Sequence, residues 1–102
     1  MYIRPQDREL LISLIAESIH EPIEVWAYGS RVNGTAHDTS DIDLVIRTRH
    51  LQPLNWKTFA TLQEKIQNSN IPVIVDIKDW AALPPSFHDE IKKRYEQFYS
   101  SI

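Results

Sequence analysis

The chain has no cysteine, and only two glycines and one methionine among 102 residues. Without cysteine there is no disulfide framework, no thiolate zinc site and no cysteine nucleophile, which fits a reducing, cytoplasmic setting. No apolar run approaches the roughly 20 residues that cross a bilayer. The opening Met1-Tyr2-Ile3-Arg4-Pro5 lacks the apolar stretch of a signal peptide. Positive charge is not in excess either: 11 basic residues against 14 acidic ones leave a net charge of -3. A chain built to coat nucleic acid carries the opposite sign, so direct nucleic-acid binding is not expected. Repeats, low-complexity tracts and linkers are also missing. What is present is an ordinary globular composition, 42% hydrophobic, 25% charged and 10% aromatic, which argues against disorder. One domain over residues 1–102 is expected, with a single core and no room for a separate substrate-binding domain.

Pro5, Asp7 and Glu9 suit the start of a helix, and Leu11, Leu14, Ile15 and Ile19 continue it at helical spacing over about 6–19. Pro22 ends it. Ile23, Val25 and Ala27 alternate with Glu24, Trp26 and Tyr28, the pattern of a half-buried strand. After Gly29-Ser30, residues 31–40 read as a short helical turn and a polar loop. Asp41 to Arg47 reads as a second strand, with Ile42, Leu44 and Ile46 on one face and Asp41, Asp43 and Val45 on the other. Asn55 suits the N-cap of a helix over about 56–68. Residues 72–77 are apolar apart from Asp76 and read as a buried third strand. Ser86 suits the cap of a last helix carrying Phe87, Ile91, Tyr95, Phe98 and Tyr99 on one face. The fold class is α/β (α+β): a small mixed sheet of about three strands flanked by helices.

The chemistry concentrates in Gly29-Ser30, ten intervening residues, then Asp41-x-Asp43, with Asp76 in the next strand. Aspartates two apart on a strand share a face. An aspartate inside an apolar strand is costly to bury unpaired, so Asp76 is expected beside the other two. Three adjacent carboxylates repel unless a cation neutralises them, and an all-oxygen set suits Mg²⁺ or Mn²⁺. Two such ions can hold the attacking and leaving oxygens of a phosphoryl-type displacement. Gly29 permits close approach of backbone to a phosphate, Ser30 offers a hydroxyl and Arg31 a permanent positive charge. One edge then binds phosphate and the other metal, as a nucleoside triphosphate requires.

The stretch Tyr28 to Val45 resembles the signature of the polymerase beta-like nucleotidyltransferase superfamily, in its minimal nucleotidyltransferase branch. Gly29, Ser30, Arg31, Gly34, Ser40, Asp41, Ile42, Asp43 and Leu44 match the branch's Gly-Ser-Arg-x-x-Gly and Ser-Asp-Ile-Asp-Leu patterns. Val75-Asp76-Ile77 resembles its third-carboxylate strand, and Phe87-x-x-x-Ile91 its closing helix. The resemblance implies the polymerase beta-like fold and transfer of a nucleoside monophosphate from ATP or another NTP to a hydroxyl, with release of pyrophosphate. It implies that Asp41, Asp43 and Asp76 are catalytic and bind two Mg²⁺ ions, Asp76 helping to activate the acceptor. Gly29 and Ser30 hold the phosphates, with Arg31 close by. Members this short are often paired with an all-helical HEPN protein (higher eukaryotes and prokaryotes nucleotide-binding), as antitoxins that add AMP to a HEPN toxin.

Plainer readings stand beside these. Asp76 can form a structural ion pair with Lys78 or Arg47, and Arg31 can pair within the domain. Trp26, Tyr28, Trp56 and Phe59 read as core, and the four histidines as solvated. Two rival functions remain: a nucleotide-binding module that inhibits its partner by contact alone, and a small-molecule nucleotidyltransferase completed by a homodimer.

Overall fold

The computed structural model describes residues Met1–Ile102. Helix α1 spans Pro5–Ser18, with proline in its first turn and the Asp7 carboxylate gripping the Arg4 guanidinium at 2.8 and 3.0 Å. Strand β1 (Ile23–Tyr28) leads into a four-residue helix α2 (Ser30–Asn33), then strand β2 (Ile42–Thr48). Helix α3 (Trp56–Gln67) is capped by the Asn55 side chain, which accepts from the amides of Lys57 and Thr58. Strand β3 (Val75–Asp79) runs into a 3₁₀ turn at Trp80–Ala82, followed by helix α4 (Pro85–Lys93) and strand β4 (Glu96–Ser100).

The sheet has four strands in the order β3-β2-β1-β4. β1 pairs antiparallel with β2 and with β4, while β2 and β3 run parallel. A parallel pair needs a crossover, and α3 supplies it. Alternation along the strands builds two cores. On one face Val25, Ala27, Ile42, Leu44, Ile46 and Ile77 pack with Leu11 and Ile15 of α1 and Leu62 and Ile66 of α3. On the other face Trp26 and Val45 pack with Trp80 and Ile91. The second face is covered by one short helix, so its end, where β1 stops and β2 starts, stays open.

Five expectations are corrected. The chain after Arg94 is strand β4, not a continuation of the last helix, so the sheet has four strands rather than about three. Tyr95, Phe98 and Tyr99 are aromatic and suit a strand as well as a helical stripe. The sheet decides between the two: Tyr95 stacks on Trp26 on one face (centroids 3.8 Å apart, planes 12° apart), while Phe98 enters the core of the other. One face of a helix cannot serve both sides of a sheet. The helix is also capped without Ser86, starting from Pro84 instead. β3 is an edge strand beginning at Val75, and Ile74 just before it is 69% exposed. Trp56 lies outside the core, at 73% exposed. His88 is not solvated: its ring stacks on Trp80 with centroids 3.9 Å apart.

Because Phe98 fills the α1/α3 core from β4, Phe98→Ala is expected to destabilise the protein by about 3–5 kcal/mol. Urea unfolding followed by far-UV circular dichroism measures it; a loss under about 1 kcal/mol would be that of a surface helix residue.

Candidate active site

At the open end of the sheet three residues form one rung. Tyr28 on β1 is paired with Asp43 on β2, and Asp43 with Asp76 on β3. All three project from the less covered face. Asp41 stands just before β2 and is exposed. Asp76 lies beside Asp43, as the cost of an unpaired carboxylate in an apolar strand required. It also has a partner of its own: Lys78, two residues along the same strand, places Nζ 2.5 Å from Asp76 Oδ2. The phenol of Tyr28 meets Phe87 edge to face at 6.1 Å, and its buried Oη makes no well-formed hydrogen bond.

Gly29 joins the turn to the rung. Its backbone lies at φ 79°, ψ -158°, a region that is essentially glycine-only. A Cβ there would press on Oδ2 of Asp43 and stand 3.2 Å from its Cγ. Glycine is therefore needed twice, for the backbone angle and for room beside Asp43. The Gly29 carbonyl accepts from the amides of Val32 (3.1 Å) and Asn33 (2.9 Å), which winds α2. Ser30 is the first residue of that helix, next to Asp43 through Gly29. A cleft of about 410 Å³ opens here between Gly29, Asn33 and helix α4. None of the three aspartates lines this cleft, nor the larger hollows of about 570 and 560 Å³ beside α3.

Arg31 is turned inward, and it is 6% exposed. Nε donates to the carbonyl of Ser40 (3.0 Å) and Asp41 (3.3 Å), Nη1 to that of Tyr2 (2.8 Å), and Nη2 to those of Asp38 (3.2 Å) and Ser40 (2.6 Å). Tyr2 closes the same clamp, its hydroxyl donating to Asp38 and its amide to the Arg31 carbonyl at 2.9 Å. The loop that delivers Asp41 is thus held by a buried guanidinium. The plainer reading pairs Arg31 within the domain, and it does pair there; its partners are carbonyl oxygens, which no sequence pattern displays.

The electrostatics follow from this crowding. Burial pushes the Asp43 carboxyl above the usual carboxylate range; the negative charges of Asp76 and Asp41 add to it, while Lys78 and Arg31 oppose it. Burial likewise raises the Tyr28 phenol. Lys78 is raised overall: burial works to lower it, but the hydrogen bond to Asp76 and the negative field around it prevail. The three carboxylates do not by themselves close into a metal-ligating cluster. Their donor set is nevertheless oxygen only, carries uncompensated negative charge, and already attracts a cation in the form of the Lys78 ammonium. That fits a hard divalent ion such as Mg²⁺ or Mn²⁺.

Residues 11–101 match the family described as polymerase beta, nucleotidyltransferase. The chain belongs to this family. It is 35% identical over 85 residues to the probable protein adenylyltransferase MntA of Haemophilus influenzae, a span of 83% of this chain and 73% of that protein. Its fold is similar to that of a chain in a toxin–antitoxin crystal structure with AMP-PNP (TM-score 0.74, 21% identity, 93% of this chain and 74% of that one). It is also similar to a chain from a tri-AMPylated Shewanella oneidensis HEPN toxin in complex with an MNT antitoxin (TM-score 0.71, 16% identity, 97% of this chain and 74% of that one). The chain is thus a nucleotidyltransferase with the polymerase beta-like fold, a small sheet flanked by helices. None of its helices is long and apolar enough to cross a membrane.

Two outcomes test this geometry. In Gly29→Ala the new methyl must displace the Asp43 carboxylate, so nucleotidyl transfer is expected to fall at least about 100-fold, for a stability loss of roughly 1–3 kcal/mol. Parallel transfer assays and urea melts measure both. The second concerns charge. A carboxyl raised on folding binds its proton more tightly in the native state than in the unfolded one. Stability without metal therefore falls as pH rises from the ordinary aspartate value of 3.8 through the raised native value. Asp43→Asn removes that slope and is expected to raise the metal-free melting temperature by a few degrees at neutral pH. Thermal melts between acid and neutral pH give both quantities.

Proposed function

We infer that this nucleotidyltransferase moves AMP from ATP to a hydroxyl group on a HEPN-domain protein, and so acts as the antitoxin of its partner. The observation that carries the reading is the rung: Asp43 and Asp76 side by side, Asp41 next to them, and the Gly29-Ser30 turn against Asp43. The 35% identity to a probable protein adenylyltransferase supports AMP as the group transferred and protein as the acceptor. The fold shared with antitoxin-bearing complexes supports the HEPN partner.

In this reading Asp41, Asp43 and Asp76 hold two Mg²⁺ ions, with Mn²⁺ as a substitute. Ions held there would neutralise charge on the triphosphate and make the acceptor hydroxyl easier to deprotonate. Gly29 and Ser30 receive the β- and γ-phosphates. Arg31 acts by holding the Asp38–Asp41 loop, and its charge lies close enough to Asp43 to oppose the rise of that carboxyl. The acceptor oxygen bonds to the α-phosphorus, the bond from that phosphorus to the bridging oxygen breaks, and pyrophosphate leaves with the electron pair. Asp76 accepts the hydroxyl proton directly or passes it to water. The domain occupies residues 1–102 and works in the cytoplasm.

The test is intact-mass analysis of a HEPN protein incubated with the chain, ATP and Mg²⁺. Addition of one or more AMP units is expected, together with loss of the HEPN protein's toxicity, and both should vanish with Asp41→Ala/Asp43→Ala. Neutralisation without any added mass, retained by the double variant, would overturn transfer in favour of inhibition by contact. AMP on a small acceptor with no partner protein present would favour a small-molecule transferase.

A further inference from the structure

Lys78 is the one cation placed directly on the carboxylate rung. It follows Asp76 by two residues on the same strand, so both side chains leave the same face. Its ammonium sits 2.5 Å from Asp76 Oδ2, with the lysine side chain 28% and the aspartate side chain 44% exposed. A divalent ion that takes Asp76 as ligand must occupy space on the carboxylate that the ammonium now fills. Two positive charges cannot share that oxygen at close range, because their repulsion grows as water is excluded. Lys78 must therefore move when an ion arrives.

The structure also offers it a second place. Tyr28 Oη lies on the same rung, buried and without a well-formed hydrogen bond, and the Lys78 ammonium already stands near enough for a loose one. Lys78 and Tyr28 are close enough for each to shift the other's protonation. The Phe87 ring stands 5.9 Å from Nζ and lines the same side. A buried hydroxyl with unused acceptor capacity, facing a lysine on a flexible four-carbon stem, is a natural receiver for a displaced ammonium.

We propose that Lys78 is a built-in placeholder for the divalent cation: it holds Asp76 while the site is empty, yields Asp76 to the metal, and turns to Tyr28 Oη on the side where the triphosphate enters. This rests on the nucleotidyltransferase reading of the rung. Lys78 is thereby a positioning residue that sets when Asp76 becomes free to act as a ligand. It keeps the empty rung from repelling itself, and it makes metal binding compete with an internal ion pair.

A purely structural lysine and a placeholder differ in sign. Removing a structural ion pair weakens the protein with or without metal. Removing a placeholder weakens the empty protein but strengthens metal binding. The experiment titrates Mn²⁺ into the full chain with a saturating non-hydrolysable ATP analogue, by calorimetry, and records melting temperatures with and without Mn²⁺. Lys78→Gln is expected to melt lower than the parent without metal. It should bind Mn²⁺ about two- to fivefold more tightly and show a larger stabilisation by Mn²⁺. Lys78→Arg, which keeps the charge, should retain the parent affinity. Unchanged or weaker Mn²⁺ binding by Lys78→Gln overturns the proposal. Should Lys78→Gln fail to fold, Tyr28→Phe examines the same device: without a receiving hydroxyl, Mn²⁺ should bind about two- to fivefold more weakly, and unchanged affinity overturns the proposal. Asp43→Asn separates the two levels. If it leaves Mn²⁺ binding intact, the metal-site reading itself fails; if it abolishes binding while Lys78→Gln changes nothing, only the placeholder fails.

Discussion

Two carboxylates on neighbouring strands, in register and on one face, repel each other, and the organisation of this protein follows from that repulsion. Asp43 and Asp76 occupy such a rung. An arrangement like this persists only if positive charge is supplied, if solvent reaches it, or if a proton stays on. The first two are visible, and the third is favoured. Lys78 grips Asp76, the sheet face is left open at this end, and burial with neighbouring negative charge holds the Asp43 carboxyl above its usual range. The same strain makes the rung receptive to a divalent ion, which relieves all the repulsion at once. Stability is given up at the place where binding will restore it.

The rest of the fold serves to hold this unfavourable arrangement in place. One face of the sheet is fully packed by α1 and α3, with Leu11, Ile15, Leu44, Ile46 and Leu62 removed from solvent. The other face is covered only in part. There Trp26 and Trp80 meet edge to face, Arg47 lies close to both rings (3.9 and 4.5 Å), Tyr95 stacks on Trp26 and His88 stacks on Trp80. This aromatic stack sits one step along the strands from the rung, since Asp43, Val45 and Arg47 share a face of β2. It anchors α4 and the 3₁₀ turn without covering Asp43. Arg31 performs the corresponding task for the loop before Asp41. Its guanidinium satisfies carbonyl oxygens that would otherwise be left without donors, and so fixes where β2 begins.

Much of the site was legible because its chemistry is local. Gly29, Ser30, Asp41 and Asp43 lie within one strand–turn–strand unit, so their spacing carries their geometry. Asp76 was legible by a different route, as an acid in an apolar strand that must find company. Lys78 was weighed as a mere ion-pair partner; the signal for more was its two-residue offset from Asp76, which puts both on one face. Tyr28 was read as core. Its position directly before Gly29-Ser30, at the end of a strand, was the available hint that its hydroxyl belongs to the rung.

The residue pattern alone named the candidate site residues, and it determined the helix starts at Pro5 and Asn55 and the strands β1 and β2, because those elements depend on contacts within a few residues along the chain. Tertiary structure decided what depends on long-range pairing. Tyr95, Phe98 and Tyr99 suit a helical stripe and a strand equally, and only the free edge of β1, which needs hydrogen-bond partners, made them β4. The apolar run before Asp76 reads as a buried strand, yet β3 became an edge because nothing pairs beyond it. Arg31 reads as a positive charge beside the phosphates, and only the fold brings four backbone carbonyl oxygens, from Tyr2, Asp38, Ser40 and Asp41, around its guanidinium. Side-chain letters announce charge and shape. They do not announce backbone oxygens, and those took the arginine.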